Sequence, residues 1–166
     1  MSIIHDRRSV RAYDPEYRLM PGQIDSLLEA AMAAPSACNS RPWEFIVITR
    51  PETLKEIARL HPHAKMCATA SAAIIVVGLP QTGNPEGYYP QDCAAATQNI
   101  LLGAAELGLG TCWCGVYPKE ARMETLYELL SIDRAKIPFN VIAIGLPAES
   151  PAKRGFFDRA KVTYID

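Results

Sequence analysis

PQDCAAATQNILLGAAELGLGTCWCGVY, residues 90–117, is the stretch of sequence that decides the fold. From Pro90 to Leu107 it is rich in alanine and carries few charges, which predicts a long helix buried on nearly all sides. Gly108 is a favourable residue to end that helix. The segment from Thr111 to Tyr117 then predicts a strand. We therefore expect a long central helix that leads directly into a strand.

The glycines between these two elements superficially match a dinucleotide-binding loop. In such a loop the glycines follow a strand and open a helix, whereas Gly108 and Gly110 follow a helix and open a strand. This order excludes a Rossmann fold. A strand flanked by glycines instead exposes backbone N–H groups, beside which a flat ring can bind.

The rest of the chain reads as helices and strands of ordinary length. Apolar residues with helical spacing lie between Pro21-Gly22 and Pro35. Ala73 to Gly78 is apolar on both faces, which predicts a central strand. The predicted elements are helices over 23–34, from Pro51 onward and over 120–130, and strands over 44–49, 73–78 and 139–146. This pattern predicts helices around a small sheet and leaves open whether the strands are parallel.

Composition and charge exclude several classes of protein. The 166 residues suit one domain, since a domain averages about 150 residues. A net charge of −1 provides no basic field for nucleic acid. The longest apolar run, 72–79, is too short to span a membrane, which takes about 20 residues. The N-terminus lacks the apolar core of a signal peptide, and the five irregularly spaced cysteines predict a reduced, cytoplasmic protein.

Two polar segments are candidate binding sites. In an extended Arg7-Arg8-Ser9-Val10-Arg11, alternate side chains share one side, so that Arg7, Ser9 and Arg11 form an anion site. The alternative for this segment is a solvated basic turn. The loop from Pro35 to Asn39 presents Ser36 and Asn39 either to a ligand or to its own backbone. Cys112 and Cys114 have no second Cys or His pair at zinc-ligand spacing, so no metal site is expected.

The ordered set of these motifs resembles the FMN-dependent nitroreductase family in its short form. The matching stretches are 7–11 (RRSVR), 34–47 (APSACNSRPWEFIV), 92–115 and the basic pair Lys153-Arg154. The resemblance implies an α+β three-layer sandwich, with a mixed, mostly antiparallel sheet flanked by helices. It also implies a homodimer with two FMN sites at the subunit interface. Residues 1–147 would form the FMN-binding domain. Residues 148–166 would form a tail that reaches the partner, with Val162 to Ile165 as an exchanged edge strand.

The resemblance also implies roles for individual residues. Arg7 would bind the phosphate of FMN, Ser9 its ribityl chain or phosphate, and Arg11 the N1 and O2 edge of the flavin. Lys65 would be a second group near O2. Cys114 and Gly115 would offer backbone N–H groups to N5 and O4, and Ser36 and Asn39 would come from the second subunit. The implied cofactor-binding residues are Arg7, Arg8, Ser9, Arg11, Pro35, Ser36, Asn39, Lys65, Cys114, Gly115, Lys153 and Arg154.

The activity implied by the resemblance is that of an NAD(P)H oxidoreductase. Hydride would pass from NADH or NADPH to flavin N5 and then, in ping-pong order, to a nitroaromatic, quinone or similar electrophile. The flavin performs this chemistry, so no catalytic side chain is required. Two alternatives remain open: another reaction of the same family, such as reductive dehalogenation, and a flavin-binding redox sensor with little turnover that uses Cys112 and Cys114.

Overall fold

The computed structural model describes residues 3–82, 87–152, 155 and 157–165. Its helices are α1 (Ile3–Asp6), α2 (Pro21–Met32), α3 (Pro51–Leu60), α4 (Tyr89–Glu106) and α5 (Glu120–Leu130). Its strands are β1 (Trp43–Ile48), β2 (Ala72–Gly78), β3 (Gly110–Gly115) and β4 (Ile137–Gly145). Short 3-10 turns cover Ala37–Asn39, Lys65–Ala68 and Arg159–Lys161. The predicted helices and internal strands all exist, with ends shifted by a few residues.

The four strands form one antiparallel sheet in the order β1-β2-β4-β3. Every residue of β2 is buried, as expected for an apolar run in the centre of a sheet. A parallel bridge joins Ser9 to Thr111 on the outer side of β3. β3 is therefore an edge strand whose free side is only partly covered.

Helices cover both faces of the sheet. On one face, Leu27 of α2 and Ile100 of α4 pack against Ile74 and Ile142. On the other face, residues of α3 and α5 pack against the remaining sheet residues; they include Ile57, Leu126, Ile75 and Val141. The alternation of inward-facing residues along β2 and β4 supplies both cores. The structure thus confirms the predicted α+β three-layer architecture.

The N-terminal segment is fixed to the outer side of β3 by close packing. The Val10 N–H donates to the Thr111 carbonyl over 2.9 Å, and the Val10 side chain lies over Gly110, where an added Cβ would come within 2.8 Å of it. Tyr13 lies over Gly145 in the same way, and its hydroxyl donates to the Val10 carbonyl over 2.8 Å. These contacts place Arg11 beside the open edge of β3.

The described end of the C-terminal tail is largely exposed. Val162 to Ile165, the predicted exchanged strand, forms no strand within its own chain, and Ile165 is 95% exposed. Its exchange with a partner subunit stays a prediction. None of the helices within the described ranges has the length and apolar character that a bilayer crossing requires.

Candidate functional site

A cavity of about 440 Å³ lies at the open edge of β3. Cys112 and Trp113 of β3 form one wall. The loop after α3 forms the opposite wall, and Arg11 and Lys65 bring positive charge to it. The complete lining is Arg11, Pro62, His63, Lys65, Met66, Cys112 and Trp113. The structure therefore brings Arg11 and Lys65, both named by the family resemblance, to one cavity.

The free edge of β3 presents backbone groups to this region. The Thr111 carbonyl accepts from Val10 and the Gly115 carbonyl accepts from two side chains, so both residues direct their peptide groups away from β4. Successive residues of an antiparallel strand alternate in this respect, and β3 pairs with β4 without a register shift. The Trp113 and Gly115 N–H groups therefore face the open edge.

This alternation changes one detail of the predicted site. Gly115 lies where the sequence predicts a backbone donor, but Cys114 directs its N–H toward Val141 on β4. Trp113 takes its place at the open edge. The motif alone could not reveal which N–H groups of β3 face the open edge, because the pairing of β3 with β4 determines this.

A second cavity, of about 340 Å³, adjoins the first through Arg11. Arg8, Ser9, Arg11, Pro151 and Ala152 line it. Arg8 shares this cavity with Ser9 and Arg11, whereas Arg7 does not line it. Within residues 7–11, Ser9 alone forms a strand bridge. The alternation of side chains predicted for the whole segment is therefore not maintained. The guanidinium groups of Arg8 and Arg11 bring positive charge to this cavity, which suits an anionic group.

Arg7 lies in a third depression, which it shares with Arg8, Ala105 and Glu149. The Arg7 Nε is buried and has no hydrogen-bond partner among the described atoms. A buried, unpaired donor costs about 1–3 kcal/mol, and an anionic ligand would satisfy it.

Glu149 fixes the backbone from which Arg11 projects. One of its carboxylate oxygens accepts from the N–H groups of Arg11 and Ala12. The segment after β4 is thereby tied to the segment that lines both cavities. The Arg11 side chain can reach either cavity from a fixed point.

The residues present fit FMN. The edge cavity has the volume of a small-molecule site, about 300–1,000 Å³, and offers backbone N–H donors and two cations to a polar ring. The Arg8 guanidinium group beside Ser9 and the unpaired Nε of Arg7 suit a phosphate. Neighbouring depressions thus offer a ring site and a phosphate site.

The loop with Ser36 and Asn39 lies elsewhere on the chain. The Ala37 N–H donates to the Asp92 Oδ1 over 3.0 Å in the first turn of α4, whereas Arg7 lines a depression together with Ala105 of the last turn. With a rise of about 1.5 Å per residue, these two points of the helix are about 20 Å apart. One chain does not bring Ser36 and Asn39 to the arginine cluster.

Within its own chain this loop is held by local hydrogen bonds. The Ser36 hydroxyl accepts from the Arg41 N–H over 2.9 Å, and the Asn39 side chain accepts from the Arg41 Nε over 3.2 Å. Cys38, Asn39 and Arg41 all have positive φ angles, which are uncommon for residues other than glycine. Pro35 and Asn39 are exposed. Lys153 and Arg154, the predicted basic pair of the tail, lie outside the described residues.

Comparison with known proteins decides the family. The model of the nitroreductase family matches residues 4–74 and 82–146. The chain belongs to the nitroreductase family. A protein of Methanothermobacter thermautotrophicus, provisionally named NADH dehydrogenase/NAD(P)H nitroreductase, is 45% identical to it over 163 residues, which are 98% of this chain and 84% of the relative.

Solved structures agree with this assignment. An FMN-dependent nitroreductase of Clostridium difficile is 26% identical with a TM-score of 0.90, and the match covers 99% of this chain and 98% of that one. A provisionally named nitroreductase of Desulfovibrio desulfuricans, solved in complex with FMN, is 27% identical with a TM-score of 0.83, covering 99% and 95%. These similarities confirm the resemblance inferred from the ordered motifs.

Cys112 lines the edge cavity in this member of the nitroreductase family. The adjacent Cys114 side chain lowers the pKa of Cys112 to about 7, and the nearby Arg11 guanidinium acts in the same direction against the effect of burial. The adjacent Cys112 side chain and burial raise the pKa of Cys114. Burial raises the pKa of Cys67 to about 12. All five cysteines are free thiols, and the described residues contain no group of three metal-binding side chains.

Sequence reasoning missed several residues of this nitroreductase site. His61 and Arg122 bind the Gly115 carbonyl, and Glu149 holds the Arg11 backbone. His61 and Glu149 act through contacts between distant parts of the chain, which no local motif reveals. Trp113 could have been found from the sequence alone. It lies between two cysteines of a predicted strand, so its side chain lies on the opposite face of the strand from theirs.

Proposed function

We propose that this chain is an FMN-dependent NAD(P)H oxidoreductase that reduces nitroaromatics, quinones or similar electrophiles. The observation that carries the proposal is the pair of cavities that both have Arg11 in their lining, one beside exposed N–H groups of β3 and the other beside Arg8 and Ser9. The FMN named with the Clostridium difficile and Desulfovibrio desulfuricans relatives supports the cofactor. The name of the Methanothermobacter relative supports NAD(P)H as the donor.

The protein would bind and orient the cofactor rather than supply an acid or a base. FMN, when bound, accepts two electrons from a reduced nicotinamide and passes them to an acceptor. Arg11 and Lys65 would hold the electron-rich pyrimidine side of the ring, where a fixed positive charge favours the reduced state. Trp113 and Gly115 would direct backbone N–H groups at the edge of the ring. Arg7, Arg8 and Ser9 would bind the phosphate and the chain leading to it.

We also propose that the working site forms between two copies of the chain. The loop with Ser36 and Asn39 is anchored at Asp92, about 20 Å along α4 from Ala105, which lines the same depression as Arg7, so a second copy would bring this loop to the same ligand. The tail over 148–166 would reach that copy through its exposed apolar side chains, which include Phe157, Tyr164 and Ile165.

Titration of the purified, flavin-free protein with FMN tests the proposal. We expect quenching of flavin fluorescence with one FMN bound per chain, followed by oxidation of NADH or NADPH when 4-nitrobenzoate or benzoquinone is added. A protein that takes up no FMN would contradict the proposed cofactor. A protein that binds FMN but oxidises neither nicotinamide with either acceptor would contradict the proposed activity and favour the redox-sensor alternative.

A further inference from the structure

Two side chains from different helical regions bind one backbone carbonyl at the end of β3. The His61 Nε2 lies 3.0 Å from the Gly115 oxygen, and the Arg122 Nη1 donates to the same oxygen over 2.8 Å. His61 directly follows α3, and Arg122 lies in the first turn of α5. A carbonyl oxygen only accepts hydrogen bonds, so the proton of a neutral His61 resides on Nε2.

These hydrogen bonds replace the packing that fixes most strand residues. A Cβ added to Gly115 would meet nothing within 4 Å, so no side-chain contact would restrain this residue. Glycine also has the greatest backbone freedom of any residue. His61 and Arg122 therefore hold the peptide that joins Gly115 to Val116, whereas the Gly115 N–H belongs to the preceding peptide, which the pairing of Cys114 with Val141 holds.

The other nitrogen of His61 holds the opposite wall of the edge cavity. The His63 N–H donates to His61 Nδ1 over 3.2 Å, and the His63 carbonyl accepts from the Cys114 thiol over 3.2 Å. His63 and Lys65 line the cavity on this side. The loop after α3 is thus joined to β3 through both nitrogens of one imidazole.

His61 is suited to this role because it is buried and uncharged. Only 2% of the residue is exposed. Burial lowers the pKa of His61, with smaller contributions in the same direction from Arg122 and His63, against a hydrogen bond to Gly115 that raises it. The neutral form keeps the lone pair on Nδ1 that accepts from His63.

We infer that His61 is a positioning residue of the proposed flavin site: it ties the loop that carries His63 and Lys65, which line the edge cavity, to the end of β3 at Gly115. This inference rests on the proposed function, since it concerns the same site. It goes further in assigning the geometry of the site to a residue that lines neither cavity.

Two nearly isosteric substitutions separate the two hydrogen bonds. In His61→Gln the amide nitrogen can replace Nε2 and donate to Gly115, whereas in His61→Asn the amide oxygen can replace Nδ1 and accept from His63. Tyr127→Phe is the matched control, because it removes a 2.7 Å side-chain hydrogen bond to the Lys136 carbonyl from α5, remote from both cavities. Arg122→Met removes the other donor to Gly115 without disturbing a buried ring.

The measurements are the Kd for FMN and the thermal midpoint of each flavin-free protein. A lost hydrogen bond of about 0.5–1.5 kcal/mol corresponds to a change in Kd of about twofold to twelvefold. We expect His61→Asn and Arg122→Met to weaken FMN binding by about fivefold to tenfold and His61→Gln by about threefold. Tyr127→Phe should lower the thermal midpoint comparably but leave the Kd within about twofold of wild type. Long-range 15N NMR of the wild type without flavin should show the Nε2–H tautomer of His61.

The outcomes separate this inference from the proposed function. If the wild type binds no FMN, the proposed function fails and takes the inference with it. If the wild type binds FMN but the His61 and Arg122 variants behave like Tyr127→Phe, only the inference is overturned. The Nδ1–H tautomer in the NMR experiment would also overturn it, and Arg122→Met tests it even if both His61 variants fail to fold.

Discussion

At the level of single residues, Arg11 has the most connections to the site. Its side chain lines both the edge cavity and the cavity beside Ser9, while Glu149 fixes its backbone N–H. Arg7 differs, because it lines a separate depression with a buried Nε that lacks a partner among the described atoms. The two arginines should therefore affect different steps.

Arg11→Ala should slow reduction of the bound flavin by NADH or NADPH by about 100-fold, because removal of one preorganised charge-stabilising group typically costs about 10²–10³ in rate. The Kd for FMN should change little, since Arg7 and Arg8 remain. Arg7→Ala should instead raise the Kd by about tenfold or more, the loss expected for a charge-assisted hydrogen bond. Anaerobic stopped-flow and fluorescence titration measure the two effects.

Arg50→Ala is the control for both arginine variants, because Arg50 is exposed at the start of α3 and lines neither cavity. Equal damage to flavin reduction and FMN retention in Arg11→Ala would contradict the role assigned to Arg11.

His61 should make folding stability depend on pH. Burial lowers its pKa below the ordinary value of 6.5, so below that pH the unfolded chain binds a proton that the folded chain does not. The contribution of His61 is fully present above about pH 6.5 and declines as the pH falls toward the folded-state pKa. Urea denaturation at pH 7.5 and 5.5 should show a larger loss of stability in wild type than in His61→Gln. An equal loss in both proteins would show that His61 does not titrate differently in the two states.

At the level of elements, the relation between β3 and the N-terminal segment builds the site. β3 has one strand neighbour, β4, and its other side receives Ser9 and Val10. Gly110 allows this close approach because it has no side chain. The cavity opens just beyond, where the N-terminal segment leaves the strand edge and Arg11 becomes exposed.

Gly110→Ala should therefore damage both stability and FMN binding. The new Cβ would lie 2.8 Å from the side chain of Val10, and a β-branched residue cannot rotate freely away from it. Overpacking of this kind costs about 1–3 kcal/mol, and displacement of Val10 would also move Arg11. Gly22→Ala in α2 is the control, since its Cβ would meet nothing within 4 Å. Thermal unfolding and FMN titration should distinguish the two variants, and a Gly110→Ala protein as stable as wild type would contradict the packing account.

The elements themselves could be predicted from local sequence, but their relations could not. The helix over 120–130 has the predicted bounds, and Pro51 begins α3 as expected, because periodicity and proline act locally. The direction of the Cys114 N–H depends on pairing with Val141, which is remote in sequence. The same holds for His61, whose partner Gly115 lies 54 residues away. Lys65 was found only through the family resemblance, whereas Arg11 also belonged to the anion site predicted over 7–11.

At the level of the whole molecule, the length of α4 separates two parts of the proposed site. The loop with Ser36 and Asn39 is anchored at Asp92, and Arg7 lies near Ala105. In a dimer, the loop with Ser36 and Asn39 of each copy would lie beside Arg7 of the other copy. Two complete sites would then form. Such an arrangement would also give the exposed apolar tail a surface to cover.

Mixed dimers test this shared arrangement. An Arg7→Ala dimer and an Asn39→Ala dimer should each lack tight FMN sites. A mixed dimer of the two chains would carry both changes in one site and neither in the other, so it should recover tight binding of one FMN per dimer. Fluorescence titration of separately tagged, co-purified chains measures the stoichiometry. No recovery in a stable mixed dimer would contradict a site built from both copies.

A crystal structure of the protein grown with FMN tests the central claim most directly. We predict the ring beside the Trp113 and Gly115 N–H groups with Arg11 and Lys65 at its pyrimidine side, the phosphate among Arg7, Arg8 and Ser9, and Ser36 and Asn39 of a second copy against the same cofactor. FMN bound away from the open edge of β3, or a ring site completed within one chain, would contradict the account.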